Sequence, residues 1–252
     1  MPIIGINGRM GHGKDTVGNI IQYLTSPVYK NNLKSFEEFQ KGETNPHRFG
    51  GQLNPDWEIK KYAKKLKQVA SLLTGIPENK FEDQEFKKSF LNKEWDTIEV
   101  RNLPVQKQDG WNIKVEKEAV FTKMTVREFL QKLGTDAIRK GLHDQTWVNA
   151  LFADYRPSSD YFSDVANGRE GDIELYYPKW IITDVRFPNE LSAIKERKGI
   201  TIRVIRPIPN TSDHISETAL DDYSFDYEIV NDGSIDDLIE KVKVFIEKYN
   251  II

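Results

Sequence analysis

Residues 3–16 have the sequence IIGINGRMGHGKDT, and this stretch indicates the fold class. Apolar residues run directly into glycines, which is typical of a buried strand that ends in a tight loop, and a helix is predicted over 15–24. Glycines let backbone N–H groups approach phosphate oxygens, and a helix N-terminus adds partial positive charge. The order strand, glycine-rich loop, lysine and helix predicts a phosphate-binding loop. The plain structural alternative is an ordinary glycine-rich turn between a strand and a helix.

The residues at the end of this loop have distinct predicted roles. Lys14 would reach the β- and γ-phosphates of a bound nucleotide. Asp15 stands where the usual loop has Ser or Thr, and a carboxylate there can hold magnesium through water or polarise an acceptor. Thr16 then supplies the nearby hydroxyl, most simply to the α-phosphate.

A second signal is the segment 184–190, DVRFPNE, at the end of a strand predicted over 180–184. An aspartate at the carboxyl end of an apolar strand lies where open α/β sheets bind ligands. Asp184 can therefore face the magnesium of the loop, directly or through water, and Arg186 can bind a phosphate with two donors. The alternative is that Asp184 caps the helix predicted from Pro188, with Arg186 as a solvated surface charge.

A third signal is the helix predicted from Thr125 toward Gly141. Thr125 and Glu128 form a capping box at its start. The spacing of its apolar residues predicts one buried face, made of Val126, Phe129, Leu130, Leu133 and Ala137.

The same helix predicts a polar stripe opposite the buried face, made of Arg127, Gln131, Gly134 and Thr135. Gly134 would cost about 1 kcal/mol relative to alanine, so close approach of a ligand or of another backbone would explain it. A solvated helix face is the alternative for this stripe. For Trp147 the alternative is an ordinary position in the core. For Lys87 and Lys88 the alternative is that they are ordinary surface lysines.

The remaining pattern predicts an α/β protein with a parallel sheet covered on both faces, because strands and helices alternate through the last third. Further strands are predicted over 57–63, 200–205 and 227–230. Further helices are predicted over 66–73, 144–155 and 188–198, and one begins after Ser234. We expect a long exposed loop or insertion over 28–56, a small hairpin of 98–100 and 111–115, and a loop over 156–172.

Composition excludes several classes of protein. The chain has 252 residues, a formal net charge of -3 and no cysteine. The charge balance argues against a nucleic-acid partner, and the lack of cysteine excludes disulfides, thiolate nucleophiles and cysteine-based metal sites. The four histidines lie far apart in sequence, so a metal site made of protein ligands alone is not expected. No run of 18 apolar residues occurs, so no membrane partner is expected.

Motifs spread over nearly the whole chain resemble those of the bacteriophage deoxynucleoside monophosphate kinases. The matching segments are GKDT at 13–16, LGTD at 133–136, Trp147, DVR at 184–186, VIRP at 204–207, HISE at 214–217 and NDGS at 231–234. The resemblance implies a P-loop kinase of three layers, as one domain over 1–252. It also implies a helical acceptor-binding region inserted at 81–156 and a short lid-like arm at 206–225.

The resemblance implies transfer of the ATP γ-phosphoryl group to deoxynucleoside 5′-monophosphates, with Mg²⁺, in a cytoplasmic homodimer. The residues that would contact ATP are Gly11, Gly13, Lys14, Thr16 and, in the lid, Arg206. The residues that would line the monophosphate pocket are Lys88, Arg127, Gln131, Gly134, Thr135, Trp147, Asp184, Arg186 and Glu190. The catalytic residues would be Lys14, Asp15, Arg127 and Arg186. The residues that would hold Mg²⁺, directly or through water, are Asp15 and Asp184. The turn 231–234 would lie near the adenine.

Two other functions fit parts of this pattern. One is another small-molecule P-loop kinase, which phosphorylates phosphomevalonate or dephospho-coenzyme A. The other is a non-catalytic switch that binds ATP and signals by changing shape. Turnover with a monophosphate separates the enzymes from the switch, and the identity of the acceptor separates the enzymes from each other.

Overall fold

The computed structural model describes residues 3–30, 34–41, 56–102, 117–159, 175–209 and 215–251. The chain divides into two compact units, one made of Met1–Lys65 with Gln145–Ile252 and the other of Leu66–Asp144. The strands are β1 Ile3–Asn7, β2 Trp57–Lys60, β3 Thr97–Asn102, β4 Lys117–Thr122, β5 Ser158–Ser159, β6 Leu175–Tyr176, β7 Lys179–Ile182, β8 Ile200–Ile205 and β9 Tyr227–Val230. The α-helices are α1 Lys14–Leu24, α2 Pro27–Lys30, α3 Phe36–Gln40, α4 Tyr62–Thr74, α5 Val126–Gln131, α6 Thr146–Phe152, α7 Pro188–Glu196, α8 Ile215–Thr218 and α9 Ile235–Lys248.

The first unit contains a five-stranded sheet in the order β2-β7-β1-β8-β9. Every neighbouring pair is parallel, and helices cover both sides, so the predicted α/β class with a parallel sheet is confirmed. The strands β7 and β8 flank β1, so the chain crosses from one side of β1 to the other between them. Open α/β sheets bind ligands at such a switch point, outside the carboxyl ends of the strands.

The two faces of β1 pack against different helices because side chains alternate along a strand. Ile4 and Ile6 are buried in a core that includes residues of α1 and α9. Gly5 faces the other way, where an added Cβ would lie 2.5 Å from Cδ1 of Ile194 on α7. The missing side chain lets α7 pack closely on β1.

The second unit has its own small core and a hairpin. The core includes Phe81, Val126, Phe129 and Leu133, and the ring of Trp95 packs edge-on against that of Phe129 at 4.8 Å between centroids. Strands β3 and β4 pair antiparallel, which confirms that a hairpin lies in this region. The stretch 111–115 lies outside the described residues.

The start of α4 corrects two predicted boundaries. The strand predicted over 57–63 ends at Lys60, and the helix predicted from 66 already begins at Tyr62. Both carboxylate oxygens of Asp184 accept backbone N–H groups at this point, from Tyr62 at 2.9 Å and from Ala63 at 2.8 Å. The cap comes from a residue more than a hundred positions away, so the local pattern could not indicate it.

Of the two alternatives for residues 28–56, the long exposed loop is wrong for the part that the structure describes. Helices α2 and α3 lie in it, and Ser35 and Glu38 form a capping box at the start of α3. Val28 and Phe36 are buried in the core, and the ring of Phe36 lies 5.5 Å from that of Tyr23. Residues 31–33 and 42–55 lie outside the described residues.

The predicted helix from Thr125 is confirmed in extent but changes its winding. After α5 the chain is π-helical over Lys132–Lys140, with i→i+5 hydrogen bonds such as that from the Gly141 N–H to the Asp136 carbonyl at 3.0 Å. A π-helical turn is wider than an α-helical one. Ala137, predicted on the buried face, is therefore exposed, and Ile138 packs on the core in its place.

Two smaller predictions are also refined. The helix predicted over 144–155 is α6, Thr146–Phe152. Ser158–Ser159, in the expected loop over 156–172, pair with Leu175–Tyr176, and residues 160–172 lie outside the described residues. In the described part of the chain, no helix is long and apolar enough to cross a membrane.

Candidate active site

The candidate site lies along the edge of the sheet where the five parallel strands end. The residues that follow these ends are Gly8 after β1, Lys61 after β2, Thr183 after β7, Arg206 after β8 and Asn231 after β9. Parallel strands bring polar residues from distant parts of the sequence to one edge.

The loop between β1 and α1 has the backbone conformation that a phosphate loop needs. Gly13 precedes α1 with a φ of 93°, in the left-handed region. An added Cβ at Gly13 would lie 2.6 Å from Nδ2 of Asn231, which donates to the carbonyl of His12 at 3.0 Å. Both the backbone angle and this side chain therefore require glycine at the N-terminus of α1.

Lys14 begins α1 and turns back over the loop. Its Nζ donates to the carbonyl of Arg9 at 2.9 Å, and only 9% of the residue is exposed. Burial lowers the pKa of Lys14 from 10.5 to about 8, and the charge of Arg186 acts in the same direction. The carboxylates of Glu217, Asp15 and Asp184 oppose this shift, and an incoming phosphate would favour the charged form further.

Asp15 lies beside Lys14 in a small polar cluster. One carboxylate oxygen accepts from Oγ1 of Thr183 at 2.6 Å and pairs with Nζ of Lys61 at 2.9 Å. Burial raises the pKa of Asp15, but the contacts with Thr183 and Lys61 outweigh it, so this pKa lies below its ordinary value. Asp15 is thus an ionised carboxylate with 62% of its side chain exposed.

Asp184 has a contact that neither sequence interpretation anticipated. It caps α4 through Tyr62 and Ala63, and not α7, the helix that follows it. Burial raises the pKa of Asp184 above its ordinary value, although the two amides and the charge of Arg186 oppose this. Its carboxylate therefore positions α4 relative to the strand ends.

The acidic residues fit Mg²⁺ of the kind that keeps several waters. Among the described residues no group of three or more metal-binding side chains occurs, so a closed protein cage is absent there. Mg²⁺ is usually held by one or two carboxylates together with substrate phosphates and water. Asp15 fits this role best, since its exposed oxygen is free of the two contacts above. Asp184 has remaining lone pairs for a bridging water.

Arg186 is fixed by contacts at both its backbone and its guanidinium group. The buried carboxylate of Glu190 accepts from the backbone N–H of Arg186 at 2.8 Å and of Phe187 at 3.1 Å. The Arg186 guanidinium pairs with the carboxylate of Glu217 through Nη1, which also lies 3.3 Å from the carbonyl of Ser216. Glu190 thus sets the backbone of Arg186, and Glu217 holds the end of its side chain.

A cavity of about 300 Å³ lies beside the loop in the first unit. Its charged lining residues are Arg9, Arg186, Arg203, Arg206, Glu217 and Asp221. Arginines outnumber carboxylates in this lining, which suits an anionic ligand. Arg9 pairs with Asp221 at 2.6 Å, and Arg203 donates to the carbonyls of 220, 221 and 223. Arg206, at the end of β8, has an exposed side chain.

Some predicted acceptor residues lie in the second unit, which the structure describes by itself. Arg127 on α5 donates to Oε1 of Gln84 at 3.2 Å, and Lys88 pairs with Glu85 on an exposed surface. Gly134 is buried, and an added Cβ would lie 2.9 Å from Cδ2 of Leu66. A close approach at this glycine is therefore confirmed, although it comes from the side chain of Leu66 and not from another backbone, and a ligand there stays a prediction. Gln131 and Thr135 are partly buried.

Trp147 belongs to the first unit and is 6% exposed on α6. Its core position agrees with the plain structural alternative. A role in the monophosphate pocket stays a prediction.

Sequence reasoning missed Lys61, Thr183 and Glu217. The first two directly follow strand ends, so the rule that places ligands at the carboxyl edge of a parallel sheet could have found them. Glu217 lies in the HISE segment, but its partners Met10 and Arg186 are distant in sequence. Only the folded chain shows what it contacts.

A parallel sheet with a glycine-rich loop, a lysine and a helix after its central strand defines the class of P-loop proteins. Within this class, the chain belongs to the deoxynucleotide monophosphate kinase family, whose family model matches residues 2–242.

Phage proteins of this name align with the chain. The deoxynucleotide monophosphate kinase of Enterobacteria phage T4 is 33% identical over 120 residues, which cover 47% of this chain and 44% of the phage protein. The protein of the same name from Escherichia phage RB69 is 28% identical over 120 residues. The deoxynucleoside-5′-monophosphate kinase of Escherichia phage T5 is 23% identical over 248 residues, or 91% of this chain and 89% of that protein. The chain thus spans less than half the length of the T4 and RB69 proteins.

Proposed function

We propose that this protein transfers the γ-phosphoryl group of ATP to deoxynucleoside 5′-monophosphates, which forms the diphosphates from which deoxynucleoside triphosphates are made. The observation that carries the proposal is that the loop lysine Lys14 and Arg186 both follow strands that end at the same edge of the sheet, where burial and then the positive charge of Arg186 lower the pKa of Lys14. Two cations that destabilise each other in the free protein are suited to a ligand with several negative charges. Membership of the deoxynucleotide monophosphate kinase family supports this substrate class.

In this proposal the loop holds the donor. The backbone N–H groups of Gly11 and Gly13 face the ATP phosphates at the N-terminus of α1, Thr16 contacts them through its hydroxyl, and Lys14 neutralises their charge. Arg206, exposed beside the cavity, contacts ATP from the arm over 206–225, which we propose as a lid. Asn231, against the loop, leads into the turn near the adenine.

In the same proposal, Arg186 and Arg127 bind the acceptor monophosphate. The other proposed pocket residues are Lys88, Gln131, Gly134, Thr135, Trp147, Asp184 and Glu190. The carboxylates of Asp184 and Glu190 accept hydrogen bonds from backbone N–H groups. Asp184 thereby positions α4, and Glu190 positions Arg186.

The chain contributes to the reaction by alignment and by charge. Phosphoryl transfer is accelerated mainly when donor and acceptor are held in line and the charge on the equatorial oxygens is neutralised. Lys14, Arg127 and Arg186 supply that charge, and Asp15 orients the groups at the reaction centre. Asp15 and Asp184 would hold Mg²⁺, directly or through water, and the ion would supply further positive charge to the phosphates. Closure over the substrates excludes water as a competing acceptor.

The test is ADP release from Mg-ATP with dTMP, dGMP, dCMP and dAMP as acceptors. The ribose counterparts, phosphomevalonate and dephospho-coenzyme A serve as comparison acceptors. We expect turnover with the deoxynucleotides. Turnover with only one of the other acceptors would overturn the substrate class, and no stimulation by any acceptor would leave an ATP-binding switch.

We also propose that the protein works as a homodimer, as the family resemblance implies. Sedimentation equilibrium would then give about twice the 29.2 kDa mass of the chain. The net charge of -3 argues against a nucleic-acid partner.

A further inference from the structure

The arm after β8 returns to the phosphate loop at Glu217, a residue to which the proposed function assigns no part. Glu217 lies on the short helix α8, and its side chain is only 9% exposed. A carboxylate this buried is costly unless it is paired. Each of its two oxygens has a partner on a different element of the site.

The first oxygen, Oε1, pairs with Nη1 of Arg186. The carbonyl of Ser216 accepts from the same nitrogen at 3.3 Å. No described residue accepts from Nε or Nη2 of Arg186. The guanidinium group is therefore held at one end, and its other donors are left for a ligand in the cavity that Arg186 lines.

The second oxygen, Oε2, accepts from the backbone N–H of Met10 at 2.7 Å. Met10 lies in the phosphate loop, so one carboxylate connects the loop and the arginine. Neighbouring Asp221 also contacts the loop, through Arg9, but does not contact Arg186. Among the described residues of the arm, Glu217 is thus the one that contacts both the phosphate loop and Arg186.

We propose that Glu217 is the positioning residue for Arg186, and that it orients the guanidinium group so that Nε and Nη2 bind a phosphate oxygen pair of the acceptor monophosphate. The inference rests on the proposed function in one respect, since it takes the ligand of Arg186 to be that monophosphate. Glu217 itself need not touch the substrate. It acts by keeping a rotamer that a free arginine side chain would seldom hold.

The test uses Glu217→Gln in the full-length protein. Arg186 and Met10 contact different oxygens of Glu217, and glutamine replaces one of these oxygens with an NH₂ donor, so one of the two contacts loses its acceptor. We expect kcat/KM for the deoxynucleoside monophosphate to fall about tenfold or more. In an Arg186→Ala background the same substitution should change kcat/KM less than about twofold, because the group to be oriented is gone.

Two matched variants separate orientation from other effects. Asp221→Asn removes the neighbouring contact between the arm and the loop but leaves the Arg186 pair. Glu240→Gln makes the same chemical change at an exposed i,i+3 pair with Lys243. Glu240→Gln should stay within about threefold of the wild type, and Asp221→Asn should lose clearly less activity than Glu217→Gln. A loss in Asp221→Asn as large as in Glu217→Gln would overturn the proposal, as would an undiminished effect of Glu217→Gln in the Arg186→Ala background.

A readout independent of turnover is the side-chain NMR spectrum of protein labelled with ¹⁵N-arginine. The Arg186 signals, assigned by their loss in Arg186→Lys, should show hindered rotation of the guanidinium group in the wild type and averaging in Glu217→Gln. Free rotation in the wild type would contradict the inference. If the wild type does not turn over any deoxynucleotide, the proposed function fails, and this spectrum still tests the positioning of Arg186. Glu217→Asp, which retracts the carboxylate by one methylene, replaces Glu217→Gln should the latter not fold and should act in the same direction.

Discussion

Lys14 and Arg186 reach the candidate site in different ways. Lys14 is placed by its own loop, since it is the first residue of the helix that follows the glycines. Arg186 depends on two carboxylates, one at its backbone and one at its guanidinium group. Burial and then the charge of Arg186 lower the pKa of Lys14, and a bound phosphate would oppose this shift.

Replacement of either cation tests the site directly. Lys14→Ala and Arg186→Ala should each lower kcat/KM at least about 100-fold, because each removes charge that is needed most in the transition state. Steady-state kinetics measure the loss, and circular dichroism shows whether the fold is intact. Lys243→Ala, at an exposed pair on α9, is the matched control. Near-normal turnover in either variant would contradict the assignment.

At the scale of elements, helix caps decide where the elements near the site begin. Capping boxes start α5 and α9 from within their own sequence, at Thr125 with Glu128 and at Ser234 with Asp237. The cap of α4 comes instead from Asp184 at the end of β7. This long-range cap ties the ends of β2 and β7 together beside the loop.

The cap of α4 should contribute measurably to the free energy of unfolding. Asp184→Ala leaves the N–H groups of Tyr62 and Ala63 without this acceptor and should lower the free energy of unfolding by about 1–2 kcal/mol. Denaturant unfolding measures the change. Asp236→Ala, an exposed aspartate in the first turn of α9, should cost less than about 0.5 kcal/mol. Equal losses in the two variants would show that Asp184 does not stabilise the start of α4.

The cap of α9 predicts a dependence on pH. The side-chain and backbone hydrogen bonds from Ser234 hold the pKa of Asp237 below its ordinary value of 3.8. A lowered pKa in the folded state means that the stabilisation is present above the unfolded pKa and is lost as the pH falls through the folded one. Asp237→Asn imitates the protonated form, so its Tm should lie below that of the wild type at pH 7. The two values should converge as the pH falls through the lowered pKa of Asp237, and a constant difference would contradict the prediction.

At the scale of the whole molecule, the proposed roles divide between the two compact units. The donor loop lies in the first unit, and Arg127 with the polar residues around it lies in the second. The expected region at 81–156 overlaps this second unit, and its boundaries stay a prediction.

This division predicts a kinetic separation. Arg127→Ala should lower kcat/KM for the monophosphate about tenfold or more, because it removes a charge on the acceptor, and should leave the Kd for ATP within about twofold. Calorimetry of ATP binding and steady-state kinetics measure the two effects. Lys140→Ala, at an exposed pair with Asp136 in the same unit, is the control. Equal weakening of ATP and monophosphate binding would contradict the assignment of Arg127 to the acceptor monophosphate.

The sequence alone predicted the parallel sheet, the loop from Gly8 to Lys14 and the capping box at Thr125. Each of these depends on neighbours in the chain, such as an apolar run, glycines or a cap three residues away, and such signals survive without tertiary contacts. It also indicated that Asp184 and Arg186 lie at the site, because the carboxyl ends of parallel strands meet at one edge.

Tertiary structure decided what those residues contact. The local pattern did not show that Asp184 caps α4, that Lys61 pairs with Asp15, or that Glu217 joins Arg186 to Met10. It also placed Ala137 on the buried face, which the wider π-helical turn prevents. The three contacts have one physical reason: hydrogen bonds and ion pairs act over a few ångströms, and their partners here are separated by 31 to more than 200 residues of chain.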